Sequence, residues 1–144
     1  MRSFITILFL FLGLVSNAQK QEVQKCIDVF FEGFHEKDTL KLKSVCGDKI
    51  ILQSISESKS KGNKLSNESA EEFYKSIASI PKTTKFQEKI LSYNIQLDGA
   101  MAHVWAPYEF YLNDKLSHSG VNTFTLFKEK ENWKIVYLID TRRK

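Results

Sequence analysis

The stretch 107–124, "PYEFYLNDKLSHSGVNTF", constrains this chain more than any other, because its strand alternation can be checked from both ends. It reads as two strands joined at Asn113-Asp114-Lys115. In the second strand the apolar Phe124 and Leu126 must face a core, and stepping back by twos puts Asn122, Gly120 and His118 on that same face. A three-residue turn pairs Leu112 with Leu116, Phe110 with His118, Tyr108 with Gly120 and Ala106 with Asn122. The same register pairs Val104 with Phe124 and Ala102 with Leu126. The prediction is a sheet whose inner face carries Tyr108, His118 and Asn122, while Glu109, Tyr111 and Ser119 point away. Pro107 is the place where this phase could break, since proline donates no ladder hydrogen bond. A bulge there would turn His103 and Trp105 inward in place of Ala102 and Val104.

Helical patterns come before the strands. Val23, Ile27, Phe30, Phe31 and Phe34 recur at helical spacing. Asp38 is a good N-cap for a short second helix bearing Leu42 and Val45, and "KIILQSI" reads as a β-branched strand. Residues 56–69, polar and carrying Gly62, read as a surface loop. Ser69 and Glu72 form a capping-box pattern ahead of a third helix striped by Phe73, Ile77 and Ile80, which Pro81 ends. "KFQEKILSYNIQL" reads as one strand turning at Asp98-Gly99. "WKIVYLIDTRR" closes the meander, with Trp133, Ile135, Tyr137 and Ile139 expected inside and Val136, Leu138, Asp140 and Arg142 outside. Helices grouped first and strands last predict an α+β fold, three helices packed on a strongly curved, mostly antiparallel sheet with one internal pocket.

The first 18 residues are read as a signal peptide. Arg2 precedes an apolar run from Phe4 to Val15, and Ser16 and Ala18 are small residues placed for cleavage before Gln19. The run is shorter than the ~20 residues of a spanning helix. The expectation is an exported protein, periplasmic or secreted, folding as one domain over 19–144. Without Arg2 the charge balance is 20 basic against 17 acidic side chains, +3, too small and dispersed for a nucleic-acid surface. Export permits a Cys26–Cys46 disulfide, and two buried thiols are the other reading. No cysteine or histidine spacing suggests a metal site, and no cofactor is expected.

The helix "VFFEGFHEKDT", the strand "GAMAHVWAPYEFY" and the closing "SGVNTFTLFKEKENWKIVYLID" resemble the nuclear transport factor 2-like superfamily, in particular its small exported bacterial members of unknown activity. The resemblance covers Glu22 to Arg143. It implies a sheet curved around a conical cavity that the helices close. It also implies use of that cavity for binding or for cofactor-free chemistry, and pairing of two copies through the outer sheet face. Compared with ketosteroid isomerase in that superfamily, the base position falls near Gln53, which has no carboxylate, and the helix-one tyrosine falls near Phe30, which has no hydroxyl. That chemistry is not expected to carry over.

The candidate ligand-binding residues are therefore Tyr108, His118 and Asn122 as polar anchors, with Phe30, Phe34, Trp133 and Tyr137 as apolar lining. The first expectation is a pocket for a small apolar or amphipathic molecule. The second is an isomerase-, dehydratase- or hydrolase-type enzyme with His118 as acid or base. The third is a homodimeric assembly module using Trp105 on the outer face. An inner face poor in carboxylates favours the first over the second. Asp140 and Arg142, two apart on one face, read as an ion pair. His35 and Glu36, at the end of the first helix, read as solvated.

Overall fold

The computed structural model describes residues 16–144 in full and residues 2–15 as backbone alone, so most of the predicted export segment, 1–18, lies outside the described residues. The elements run α1 (Arg2–Glu36), α2 (Thr39–Val45), β1 (Cys46–Ser56), β2 (Lys64–Glu68), α3 (Ala70–Ser79), β3 (Phe86–Ile90), β4 (Asn94–Asp98), β5 (Met101–Leu112), β6 (Lys115–Glu129) and β7 (Asn132–Arg142). The strands form one sheet in the order β2-β1-β7-β6-β5-β3, with β4 also on β5; among the described residues only the β1–β7 pairing is parallel. The fold is α+β, three helices on a mostly antiparallel sheet.

The local signals act as their chemistry requires. Val23, Ile27, Phe30 and Phe31 are buried along one stripe of α1 against Phe124 and Leu126 of β6. Asp38 Oδ1 accepts the Leu40 and Lys41 amides at 3.0 Å each, capping α2. Ser69 and Glu72 close a capping box at α3. Cys26 and Cys46 are two buried thiols. Cys26 Sγ donates to the Trp133 carbonyl at 3.3 Å, and burial pushes the thiols up to about 12 and about 11, so neither is a ready nucleophile.

The β5–β6 register is the predicted one from Ala102↔Leu126 to Phe110↔His118, and it crosses Pro107 without a break. The proline carbonyl accepts the Leu91 amide at 2.8 Å. Its donorless nitrogen therefore faces the same edge, where β3 has ended and β4 has not begun. Ala102, Val104 and Ala106 are buried and Trp105 is exposed.

Four expectations are corrected. The 56–69 loop contains β2, whose polar residues pair with β1 from Leu52↔Glu68 to Ser56↔Lys64. Neighbouring backbone, not side-chain apolarity, makes it a strand. "KFQEKILSYNIQL" is two strands, both laid against β5. The hairpin after Leu112 turns on two residues, Asn113 (φ 49°) and Asp114 (φ 61°), pairing Leu112 with Lys115. Ser117 is then the extra residue that restores the predicted register at His118. Finally, β7 changes phase. Leu126 pairs with Ile135 but Thr125 pairs with Tyr137, leaving Val136 over. Trp133 and Ile135 face inward as expected, whereas beyond the bulge Leu138, Asp140 and Arg142 face inward and Tyr137 and Ile139 outward.

Beyond that bulge β7 departs from the ladder once more. Ser119 and Arg143 exchange both backbone hydrogen bonds, so the Val121 amide should next meet the Thr141 carbonyl. It meets the Thr141 hydroxyl instead, at 3.1 Å, and the freed carbonyl accepts from the Tyr108 hydroxyl at 2.9 Å. Only a residue without a side chain fits beneath: a Cβ on Gly120 would lie 1.7 Å from the Thr141 oxygen. Gly120→Ala is therefore expected to destabilise the fold by roughly 2–4 kcal/mol, since backbone must move. Urea denaturation measures it, and a loss below about 0.5 kcal/mol would refute the close approach.

Candidate functional site

The concave face of the sheet and the undersides of α1 and α3 enclose a chamber of about 360 Å³. Its walls are flat rings. Phe73 of α3 stacks parallel to Phe30 and Phe34 of α1, at 2° and 8° between planes, because both helices present their aromatic stripe to the same sheet. On the sheet side Phe110 stacks on the His118 imidazole at 4.8 Å and 21°. The chamber is thus lined by flat aromatic faces on both its helix and its sheet sides.

The polar groups gather at one end. Asn122, 4% exposed, donates from Nδ2 to Glu88 Oε1 at 2.6 Å. Burial is the main reason the Glu88 carboxyl is pushed up to about 7; the Asn122 hydrogen bond opposes it and the nearby Asp140 charge adds to it. The Glu88 backbone amide donates to His35 Nε2 at 3.0 Å, so His35 is half-buried, stacked on Phe31 and shifted toward its neutral form by burial. The solvated histidine expected there is instead the pin that holds β3 to α1. Glu36 is exposed and pairs with Lys41 at 2.6 Å.

Arg142 Nε meets Asp140 Oδ2 at 2.8 Å, the expected ion pair, but on the inner face. The same Asp140 oxygen lies 3.3 Å from the Tyr108 hydroxyl. Burial and these two carboxylates hold the Tyr108 phenol well above its ordinary range. It is a hydrogen-bond donor, not a base. His118 sits at the rim, its Nδ1 3.2 Å from the Ser117 hydroxyl. Burial and the Arg142 charge lower its pKa, so a neutral imidazole faces the chamber.

Of the seven candidate lining residues the structure brings five together: Tyr108, His118, Asn122, Phe30 and Phe34. Trp133 packs in the core at the far end, its Nε1 donating to Glu22 at 3.3 Å. Tyr137 lies on the convex face, bonded to Gln53, because of the phase change at Val136. Sequence reasoning missed Glu88 and Asp140, and the expectation of an inner face poor in carboxylates is overturned. The signal for Glu88 was present: in "FQEKI" it alternates in phase with Phe86 and Ile90. Asp140 had none, since "KIVYLI" is apolar in either phase. Among the described residues, no group of three His, Cys, Asp or Glu side chains is placed to hold a metal ion.

Comparisons with known proteins agree with this architecture. A Nostoc punctiforme protein of unknown function with a cystatin-like fold superposes with a TM-score of 0.67 at 12% identity, over 86% of this chain and 90% of its own. A nuclear transport factor 2-like protein from Cytophaga hutchinsonii gives 0.70 at 14% identity, over 87% and 98%. A Mycobacterium tuberculosis protein of unknown function gives 0.73 at 10% identity, over 90% and 74%. Such identities establish a shared fold and no shared activity. No curated protein matches this chain. The family model described as "Putative lumazine-binding" matches residues 18–138, nearly the whole of the sheet and all of the chamber's helical roof. The chain belongs to that lumazine-binding-like family, and it shares the fold of the nuclear transport factor 2-like and cystatin-like proteins.

Proposed function

We propose that this protein is an exported binder of a small, flat, largely apolar molecule held in the aromatic chamber. The observation that carries the reading is the parallel ring wall of Phe30, Phe34 and Phe73 facing a buried polar floor at Asn122 and Glu88. Flat ring faces favour a planar partner, and the floor would fix its orientation through donors and acceptors. The description of the matched family supports a heteroaromatic ligand such as lumazine. The apolar run ahead of Ser16-Asn17-Ala18 supports export. Thermal-shift titration with flat heteroaromatics, lumazine among them, should raise Tm by several degrees. Ser76→Phe, which fills the chamber from an exposed position on α3, should abolish the rise. A melting point that no member of the series moves would sink the reading.

A second reading, cofactor-free proton-transfer chemistry, is favoured by one observation: a carboxyl pushed up to about 7 by burial lines the same chamber as a neutral imidazole and a phenol donor. Here Glu88 and His118 would move the proton while Tyr108 and Asn122 polarise the substrate. Glu88→Gln and His118→Ala should then each lower kcat at least a hundredfold on a substrate found by screening. Full turnover by both variants would exclude it.

The raised Glu88 carboxyl also predicts a pH dependence of stability. The folded state holds this proton more tightly than the unfolded state. Its contribution is therefore complete below the ordinary carboxylate range and is lost as pH rises through about 7. Glu88→Gln should match the wild type at pH 5 and exceed it at pH 8 by roughly 1–3 kcal/mol, read as several degrees of Tm. Equal melting curves at pH 8 would show that the carboxylate is not penalised.

A second copy of the chain is the partner this reading expects on the convex face, where Met101, Trp105 and Phe127 are each about half exposed. Light scattering should give the mass of a dimer that Trp105→Glu halves; a monomeric wild type would remove this partner.

A further inference from the structure

The basic side chains look dispersed along the sequence, but the fold gathers a group of them at one end of the sheet. A hollow of about 930 Å³ there is lined by Lys59, Lys61, Arg142, Arg143 and Lys144, faced by the acid Glu57. Arg142 and His118 line the aromatic chamber as well, so this hollow lies at the chamber's mouth. Register places the cations there. Ser54 pairs with Asp140, and two residues farther along both strands Ser56 pairs with Arg142 and with Lys64 of β2. The inner row that carries Asp140 and Asn122 is thus followed, toward solvent, by an outer row that carries Arg142 and Lys64.

The turn between β1 and β2, residues 57–63, completes the cluster. The Ser58 carbonyl accepts the Gly62 amide at 2.9 Å and the Ser58 hydroxyl accepts the Lys61 amide at 3.1 Å. Gly62, at φ 75°, lets the chain close that tightly. The Glu57 amide donates to the Arg142 carbonyl at 3.2 Å and ties the turn to β7. Lys59, Lys61 and Lys64 are exposed and, among the described residues, make no ion pair.

This arrangement suits many anions better than one. Lys59 and Lys61 stand on the turn, Lys64 on the β2 edge, and Arg143 and Lys144 just past β7, so their charges spread along a face. The two guanidiniums able to grip a single phosphate are already engaged, Arg142 by Asp140 at 2.8 Å and Arg143 by the Thr141 hydroxyl at 3.2 Å. A surface that repeats its negative charge laterally matches such a spread, and a bilayer containing anionic phospholipid is one.

We propose that this cationic face docks on an anionic phospholipid bilayer and so sets the mouth of the aromatic chamber against the lipid. The docking stands on charge and geometry alone. What it serves, exchange of an apolar ligand between bilayer and chamber, rests on the binding reading above.

Co-sedimentation of the exported form, free of ligand, with lipid vesicles tests this. Vesicles of phosphatidylcholine and phosphatidylglycerol in equal parts should hold the protein at least about fiftyfold more strongly than phosphatidylcholine alone at about 0.1 M salt, and about 0.5 M salt should release it. Lys59→Gln combined with Lys61→Gln, both on the exposed turn, should weaken that partition about twentyfold without moving Tm. Lys49→Gln combined with Lys130→Gln removes the same charge near the start of β1 and in the β6–β7 turn, at the far end of the sheet, and should change the partition less than about threefold. Equal partition to both kinds of vesicle would overturn the docking, as would equal losses in the two double variants. Pyrophosphate that raised Tm and stripped the protein from vesicles at constant ionic strength would also overturn it, by assigning the hollow to a compact anion. Vesicle binding that persisted while no flat heteroaromatic moved Tm would sink the binding reading and leave the docking standing.

Discussion

One extra residue in β7, Val136, decides what the cavity is made of. A bulge inverts the facing of every side chain beyond it and sharpens the local twist, because two residues on one strand must oppose one on the next. Upstream of it Trp133 and Ile135 complete an apolar core under α1. Downstream, Leu138, Asp140 and Arg142 look into the hollow. Without the bulge, Tyr137 and Ile139 would occupy that space, and the ion pair would sit on the convex face. The closed, apolar half of the sheet and its hollow, polar half are thus separated by a single backbone irregularity.

A polar interior is tolerable only when its groups are partnered, and here the partnerships cross elements distant in sequence. Tyr108 reaches the Thr141 carbonyl, which is free because the Val121 amide has taken the Thr141 hydroxyl and because Gly120 leaves room. Asn122 reaches Glu88, and Arg142 reaches Asp140. Each bond is worth on the order of 1 kcal/mol when made and costs more when one partner is lost, so the set holds the curl of β5, β6 and β7 as much as it furnishes a site. Ser54 stands apart as a buried hydroxyl with no hydrogen-bond partner among the described residues.

The helices do more than roof the cavity. Through His35, α1 takes a backbone hydrogen bond from Glu88, fixing the strand residue whose carboxyl lines the chamber and accepts from Asn122. The same helix supplies Phe30 and Phe34 to the ring wall. Position and environment of the acid are therefore set by one element. Burial then raises its pKa by removing the water that would solvate the charge. Such a group suits either a hydrogen bond to a neutral ligand or a proton transfer. Near Gln53 and at Phe30 the chain lacks the carboxylate and the hydroxyl that the isomerase resemblance would require, so any proton chemistry must use a different set of groups.

Much of this was legible in the chain itself, and for a common reason. Helix stripes, the Asp38 cap, the Ser69–Glu72 box and the inward facing of Tyr108, His118 and Asn122 all follow from periodicity and local hydrogen bonding, which act over a few residues. The phase of β7, the pairing that makes a strand of polar β2, and the roles of His35, Asp140 and Ser54 do not. "KIVYLI" is apolar whichever way it faces, and "KLSNE" has no facing until β1 supplies a partner. Local sequence determined the helices, the strands that carry an apolar face, and which face of the central hairpin would be buried. Only the assembled sheet, with its bulges and cross-strand partners, decided which polar groups meet inside it, because register is a property of two strands and not of one.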